Sequence, residues 1–389
     1  MSDPNVLVVI QDESIYRSNE HNNFYWQINR PGEAINTVLR SKGLGSGTMV
    51  SAFISIFGFV TLTDAEMNEL NAIPAANNIP TIQMAPRVTN QDVDGAFGDV
   101  DALWFSYHLF DYGKQRQGYW DGEKMVLQTK EIISMFEYKF PGKKLVFLFD
   151  WSSGHDKKPA DSVILSNMRL KWGGKQPVMR STTLLQDYSA PNPHTACLKA
   201  GQIQTLVFQP GDEPPFYAPD AVDYIGQPKG AKQVAYERGL WKDGMVLRDD
   251  TNTDRSVFHA LNLCPDFNLF VKSILQEEIE KLNHLCDFLP KFHCELSPIE
   301  RVWSKSKRYV INFSDDTRET LLKNIRKSFW VDNVSLETVA RYFRKAYHYA
   351  CGYRDGDSIV KQMSKQYKSH YAVPPYSPVC SWYSPVCSW

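Results

Sequence analysis

The sequence predicts an α/β fold, a mixed sheet flanked by helices, and three observations carry that expectation. Val6–Ile10 and Lys144–Phe149 are apolar runs of strand length bounded by polar residues, the pattern of buried strands. Between them, Glu123–Phe140 carries Met125, Val126, Ile132, Ile133 and Phe136 at helical spacing. After an irregular middle the chain returns to helical patterns, so strands, helix, strand and then helices follow one another as in α/β proteins.

Taken in order, Val6–Ile10 reads as a strand that delivers Gln11, Asp12 and Glu13 at its C-terminal end. Phe24–Ile28 alternates and reads as a second strand. Met49–Leu62 reads as two more with a turn near Gly58. Pro141-Gly142 stops the helix over Glu123–Phe140, and the following strand, Lys144–Phe149, ends in Asp150. Trp151–Pro265 is rich in Pro, Gly and Asp with few clean periods, and reads as an insertion of loops and short helices. Phe267–Leu285 has an amphipathic helical period, Asp287–Pro290 is a short strand or the end of one, and helices start at Ser297 and Leu336, the latter running to Ala350. The expected organisation is a first core segment over 1–150, an irregular insertion over 151–265, a helical part of the core over 266–371, and a Pro-rich tail over 372–389 with two copies of YSPVCSW.

Hydrophobic residues make up 43% of the 389 and aromatics 13%, enough for a large core and unlike a disordered chain. A formal net charge of -1 does not advertise nucleic-acid binding, but its distribution is uneven. Arg301–Lys368 holds 15 Lys/Arg against 7 Asp/Glu, which fits either a phosphate-facing surface or solvated helix faces. Seven irregularly spaced cysteines and an N-terminus without a basic leader point to reduced thiols inside the cell. The longest uncharged run, Gly43–Thr63, is rich in Gly, Ser, Thr and β-branched residues and reads as strands rather than a membrane span.

Two aspartates at strand ends can meet at one edge of a sheet, where open α/β sheets gather their functional residues. Asp12 and Asp150 have that placement. Hard Mg²⁺ takes oxygen ligands and keeps several waters, so two or three carboxylates suffice to hold it. The third candidate lies in FLPKFHCELSPIERVW, Phe288 to Trp303. Ser297, Pro298 and Glu300 form a helix start in which Glu300 has a structural explanation as the acid of a capping box. Glu295 has none and can point to the same edge as Asp12 and Asp150, so it is the expected third ligand. Glu13, beside Asp12, faces the opposite side of its strand and is left outside the site. His155, five residues after Asp150, is read as a site residue that orients water or touches a phosphate, or else as a helix cap. His284, Cys286, His293 and Cys294 lack a common zinc spacing and read as core or strand-flanking residues. Lys305, Lys307 and Arg308 fit phosphate contacts or a solvated face equally, and Trp303 reads as core.

LVVIQDES, LVFLFDWSSGH and FLPKFHCELSPIERVW resemble the three catalytic blocks of DDE transposases of the mariner-like group, with Ser297 where that group typically has Asn. SKGLGSGTMVSAF, GYWDGEKMVLQ, GGKQPVMRST and IGQPKGAKQVAYERGLW resemble, in the same order, segments of the DDE superfamily endonucleases of fungal transposons. The resemblance covers about residues 6 to 355. It implies a ribonuclease H-like fold with a large insertion between the second and third acids, and Mg²⁺ or Mn²⁺ held by Asp12, Asp150 and Glu295. It further implies DNA cleavage and strand transfer by a two-metal mechanism, DNA as partner, a homodimer on paired ends, and a nuclear location. Relatives of this kind carry helix-turn-helix modules before the catalytic domain, so recognition of specific ends is expected to be absent here. The alternatives are a catalytically inactive, host-retained copy that binds DNA or a protein, or a carrier of its C-terminal repeat as a processed peptide.

Overall fold

A computed structural model describes residues 5–20, 43–72, 81–191, 197–269, 271–330 and 333–362. The strand expected at 24–28 and the repeat at 376–389 lie outside the described residues. The chain forms two compact units, Met1–His155 with Leu275–Trp389, and Asp156–Ile274.

The first unit begins with β1 (Val6–Arg17), β2 (Gly47–Ser55), β3 (Thr61–Thr63), α1 (Asp64–Ala72), β4 (Arg87–Thr89), β5 (Ala102–Phe105), β6 (Tyr107–Phe110), α2 (Gly122–Lys139) and β7 (Lys144–Phe149). The second contains β8 (Thr182–Thr183), β9 (Ile203–Gln204), α3 (Gly230–Glu237), α4 (Val257–Asn262) and α5 (Pro265–Leu269). The chain then passes through α6 (Ile274–Lys281) back to the first unit with β10 (Leu285–Phe288), α7 (Pro298–Asn312), α8 (Arg318–Ser328) and α9 (Leu336–Arg354).

The main sheet has the order β10-β7-β1-β2-β6. β1, β2 and β6 pair antiparallel, while β7 and β10 add parallel to β1. Three antiparallel strands extended by two parallel ones give the mixed, ribonuclease H-like sheet that was expected. One face packs Ile10, Ile54 and Tyr107 against Val302, Ile325 and Val339 of α7, α8 and α9. The other packs Val9, Phe53 and Phe147 against Ile133 and Phe136 of α2 and Ile279 of α6. β3, β5 and β4 form a separate antiparallel sheet.

β1 differs from expectation in length. Its parallel pairing with β7 stops at Ile10–Leu148, but its antiparallel pairing with β2 continues to Arg17–Gly47. Hydrogen bonding to β2, rather than hydrophobicity, sets the strand's extent, so Asp12 lies mid-strand. Gly58 turns the chain between β2 and β3 at φ +79°, a conformation that suits glycine. The single helix expected over Phe267–Leu285 is instead α5 and α6, and the break coincides with the boundary between the units. Asn283, at φ +62°, follows α6 and leads into β10.

The stretch read as an irregular insertion is a compact unit with its own core, which includes Leu184, Leu206, Val234, Val257, Leu261 and Phe267. Among its described residues the strands are two residues long and the helices at most eight, too short to leave a readable period. Among the described residues, no helix is long and apolar enough to cross a membrane.

Candidate active site

Strand alternation divides the acids of β1 between two faces. Ile10 and Tyr16 belong to the cluster under α7, α8 and α9, and Asp12 shares their face. Leu7 and Val9 belong to the cluster under α2, with Gln11 and Glu13 on the same side.

On the α7 side, Trp303 Nε1 donates to Asp12 Oδ2 at 2.9 Å. Burial pushes the Asp12 carboxyl up to about 8, and the charges of Glu300 and Glu13 add to the rise, against the bonds from the Glu13 backbone and Trp303. Two residues beyond the last β1–β7 pair, Asp12 and Asp150 occupy equivalent levels of neighbouring strands. Asp150 lies just past β7, with its side chain half exposed.

On the α2 side, the turn after Asp150 brings His155 back beneath the strand end. His155 Nδ1 is 2.7 Å from Asp150 Oδ1, and Nε2 is 3.3 Å from Glu13 Oε1. The ring itself is buried and packs 5.3 Å from the Phe149 ring. Burial alone would lower its pKa, but the hydrogen bonds and charges of Asp150 and Glu13 outweigh that and push it up to about 10. The ring thus bridges the two carboxylates. A buried polar chain fixes Glu13 from behind. Gln11 Nε2 donates to Glu13 at 3.0 Å and to Ser51 Oγ at 3.1 Å, and Ser51 in turn donates to Gln128 of α2 at 2.6 Å. A cavity of about 220 Å³ opens beside this cluster, lined by residues that include Glu13, Trp120, Asp121, Met125, Ser152 and His155.

Among the described residues, ligand atoms of Glu13, Asp150 and His155 lie within 4.8 Å of one another. Asp12 and Glu295 are not in that group. The structure therefore joins two of the expected site residues, Asp150 and His155, to one that had been set aside. Glu13 does face away from Asp12, as its position in the strand requires, and that face is where His155 sits. His155 caps no helix, since the next helical turn among the described residues is Leu165–Asn167.

Glu295 is engaged elsewhere. Tyr353 Oη donates to its carboxylate, and His293 Nδ1 lies 2.7 Å from Oε1. Burial would raise its pKa, but these bonds bring it below the ordinary value. Ser297 does cap α7, with Pro298 in the first turn, but no side-chain cap bond forms, so Glu300 is not tied up in a capping box. Glu300 is exposed in the first turn of α7, and its charge bears on Asp12. Glu300 and Trp303 are three residues apart on a helix and share a face, the one signal that would have linked both to Asp12 from the sequence. Trp303 is core, as read, but its indole N–H also orients a carboxylate. Among the described residues the remaining soft ligands form no group that could hold a metal. His284 bonds the Leu145 amide and Glu137, while His293 bonds Glu295.

No family model and no curated protein matches the chain. Among solved structures it is similar to the Mos1 mariner paired end complex with Mn, at 10% identity and a TM-score of 0.39, over 90% of this chain and 56% of the other. It thus spans little more than half the length of that protein. The Mos1 transposase paired-end complex with left transposon end follows at 13% identity and a TM-score of 0.22, over 38% of this chain and 29% of the other. The Mos1 Strand Transfer Complex follows at 11% and 0.20, over 39% and 29%. Likeness at this level leaves the chemistry to be argued from the chain's own residues.

Proposed function

We propose that the chain is a divalent-metal-dependent enzyme of the DDE transposase type, cleaving and joining DNA phosphodiester bonds with Asp12, Asp150 and Glu300. The observation that carries this reading is the placement of Asp12, half-buried and level with Asp150 on the neighbouring strand, with Trp303 donating to one of its oxygens. Burial and the charges of Glu300 and Glu13 raise its pKa, so a cation arriving there would favour its ionised form. An oxygen-donor set of this kind suits Mg²⁺ or Mn²⁺. When bound, such ions supply the positive charge that stabilises the phosphoryl-transfer transition state.

The other residues prepare the ligands. Trp303 fixes one oxygen of Asp12 and leaves the second free. His155, braced on its other nitrogen by Glu13, holds the Asp150 carboxylate at its strand end. Glu300, rather than the expected Glu295, supplies the third carboxylate in this reading, because Glu295 is already satisfied by Tyr353 and His293. Plasmid nicking in Mn²⁺ tests the assignment. Asp12→Asn, Asp150→Asn and Glu300→Gln should each lose activity by at least about 100-fold, the scale of removing an electrostatic participant. Glu295→Gln should retain it within a few-fold. Activity lost in Glu295→Gln and kept in Glu300→Gln would restore Glu295. A folded wild type that nicks no DNA in either metal would favour a binding role.

A further inference from the structure

The basic residues of the C-terminal helices fall into two groups. Those of α8 are paired with acids: Arg318 with Asp111, Lys323 and Lys327 with Asp94, and Arg326 with Asp92. Those of α7 are not. Among the described residues, Arg301, Lys305 and Arg308 make no ion pair or hydrogen bond, and neither does Lys345 of α9. Arg301, Lys305 and Arg308 stand at i, i+4 and i+7, one stripe along the helix. Arg341, Lys345 and His348 repeat that spacing on α9.

The two helices pack antiparallel, since Tyr353 meets Glu295 just before α7 while Lys345 meets Arg301 one turn into it. The Arg301 charge therefore bears on Lys345, and among the described residues neither side chain pairs with an acid. Burial and the Arg301 charge hold the Lys345 amine below its ordinary pKa, and Arg301 Nε is buried without a partner. Placing two cations together is unfavourable unless an anion joins them. Arg301 directly follows Glu300 in the first turn of α7, so the seam starts at the same end of the helix as the proposed third carboxylate. The α7 stripe extends about 10 Å at 1.5 Å per residue, longer than one phosphate and suited to a chain of them.

We propose that the seam between α7 and α9, centred on Arg301 and Lys345 and extended by Lys305 and Arg308, binds the phosphate backbone of DNA next to the catalytic carboxylates. The choice of DNA rests on the nuclease reading. The experiment is fluorescence anisotropy of a labelled DNA duplex with the full chain in EDTA, titrated with salt. The Arg301→Gln/Lys345→Gln double variant should bind roughly tenfold more weakly, and its slope of log affinity against log salt should fall by about 2, near 0.9 per lost phosphate contact. Lys305→Gln/Arg308→Gln, further along the stripe where Lys305 is half-buried and Arg308 exposed, should flatten the slope similarly and serves if the first pair fails to fold. Lys323→Gln, whose amine is paired with Asp94, should bind as the wild type does. Heparin should displace the duplex, and inorganic phosphate at equal ionic strength should not.

Wild-type affinity and slope in both double variants would overturn the seam, as would a wild type that does not bind or displacement by free phosphate. Plasmid nicking separates the two readings. A wild type that binds with this salt dependence but never nicks removes the nuclease reading and leaves the seam. A nicking wild type whose double variants keep their slope does the reverse.

Discussion

Single residues decide the chemistry here through their company rather than their type. Asp12 shows this best. Its pKa is raised from 3.8 to about 8, so in the metal-free protein its contribution to stability is fully present below about 4 and is lost as pH rises through about 8. The melting temperature of the metal-free wild type should therefore fall across that window by more than that of Asp12→Asn, which cannot ionise. Parallel pH profiles would show that Asp12 ionises freely. Residue-scale legibility was uneven for the same reason. Asp12, Asp150 and His155 could be named from motif position. Glu13 was set aside because alternation gives a side chain's face but not what the other face holds. The choice between Glu295 and Glu300 turned on Tyr353, 58 residues further on, which no local pattern connects to Glu295.

At the scale of elements, β7, α2, α7 and α9 were legible because each has a clear period and a marked boundary. Pro141-Gly142, just past the end of α2, is one such boundary, and the structure adds an Asp121 cap that accepts from the Glu123 and Lys124 amides. The full length of β1 was not legible, because its second half is a strand by virtue of pairing with β2. The elements of the second unit were not legible because they are short and joined by polar side chains. Arg238, which ends α3, makes two bonds to Asp266 of α5 at 2.7 and 2.9 Å, and Arg238 Nε bonds Gln204 of β9 at 2.8 Å. Thr182 of β8 donates to the same aspartate at 2.8 Å. Both members of the ion pair are fully buried, so Asp266→Asn leaves an uncompensated arginine and should cost about 3–5 kcal/mol. Urea unfolding followed by tryptophan fluorescence checks this, and a cost below about 1 kcal/mol would mean that the pair is solvated.

At the scale of the whole molecule, the fold class followed from the order of the patterns, whereas the order of the strands in the sheet is set by pairing that no local pattern displays. What the sequence did not reveal was that the middle of the chain has a core of its own. A unit of that kind is a sum of weak local signals, each below the threshold of a readable period. The balance of charge was also hidden at this scale. The cations of α8 pair with acids of other elements, while Arg301, Lys305 and Arg308 of α7 pair with none among the described residues, and a count along the sequence cannot separate the two.

The central claim is that the carboxylates around Asp12 and Asp150 form a divalent-cation site. Its most direct test is titration of the full chain with Mn²⁺, followed by the electron paramagnetic resonance of the free ion. The account predicts saturable binding by the wild type, weakened at least about tenfold in both Asp12→Asn and Asp150→Asn, the scale seen when groups around a metal are removed. A folded wild type that takes up no Mn²⁺, or binding unchanged in both variants, would contradict it.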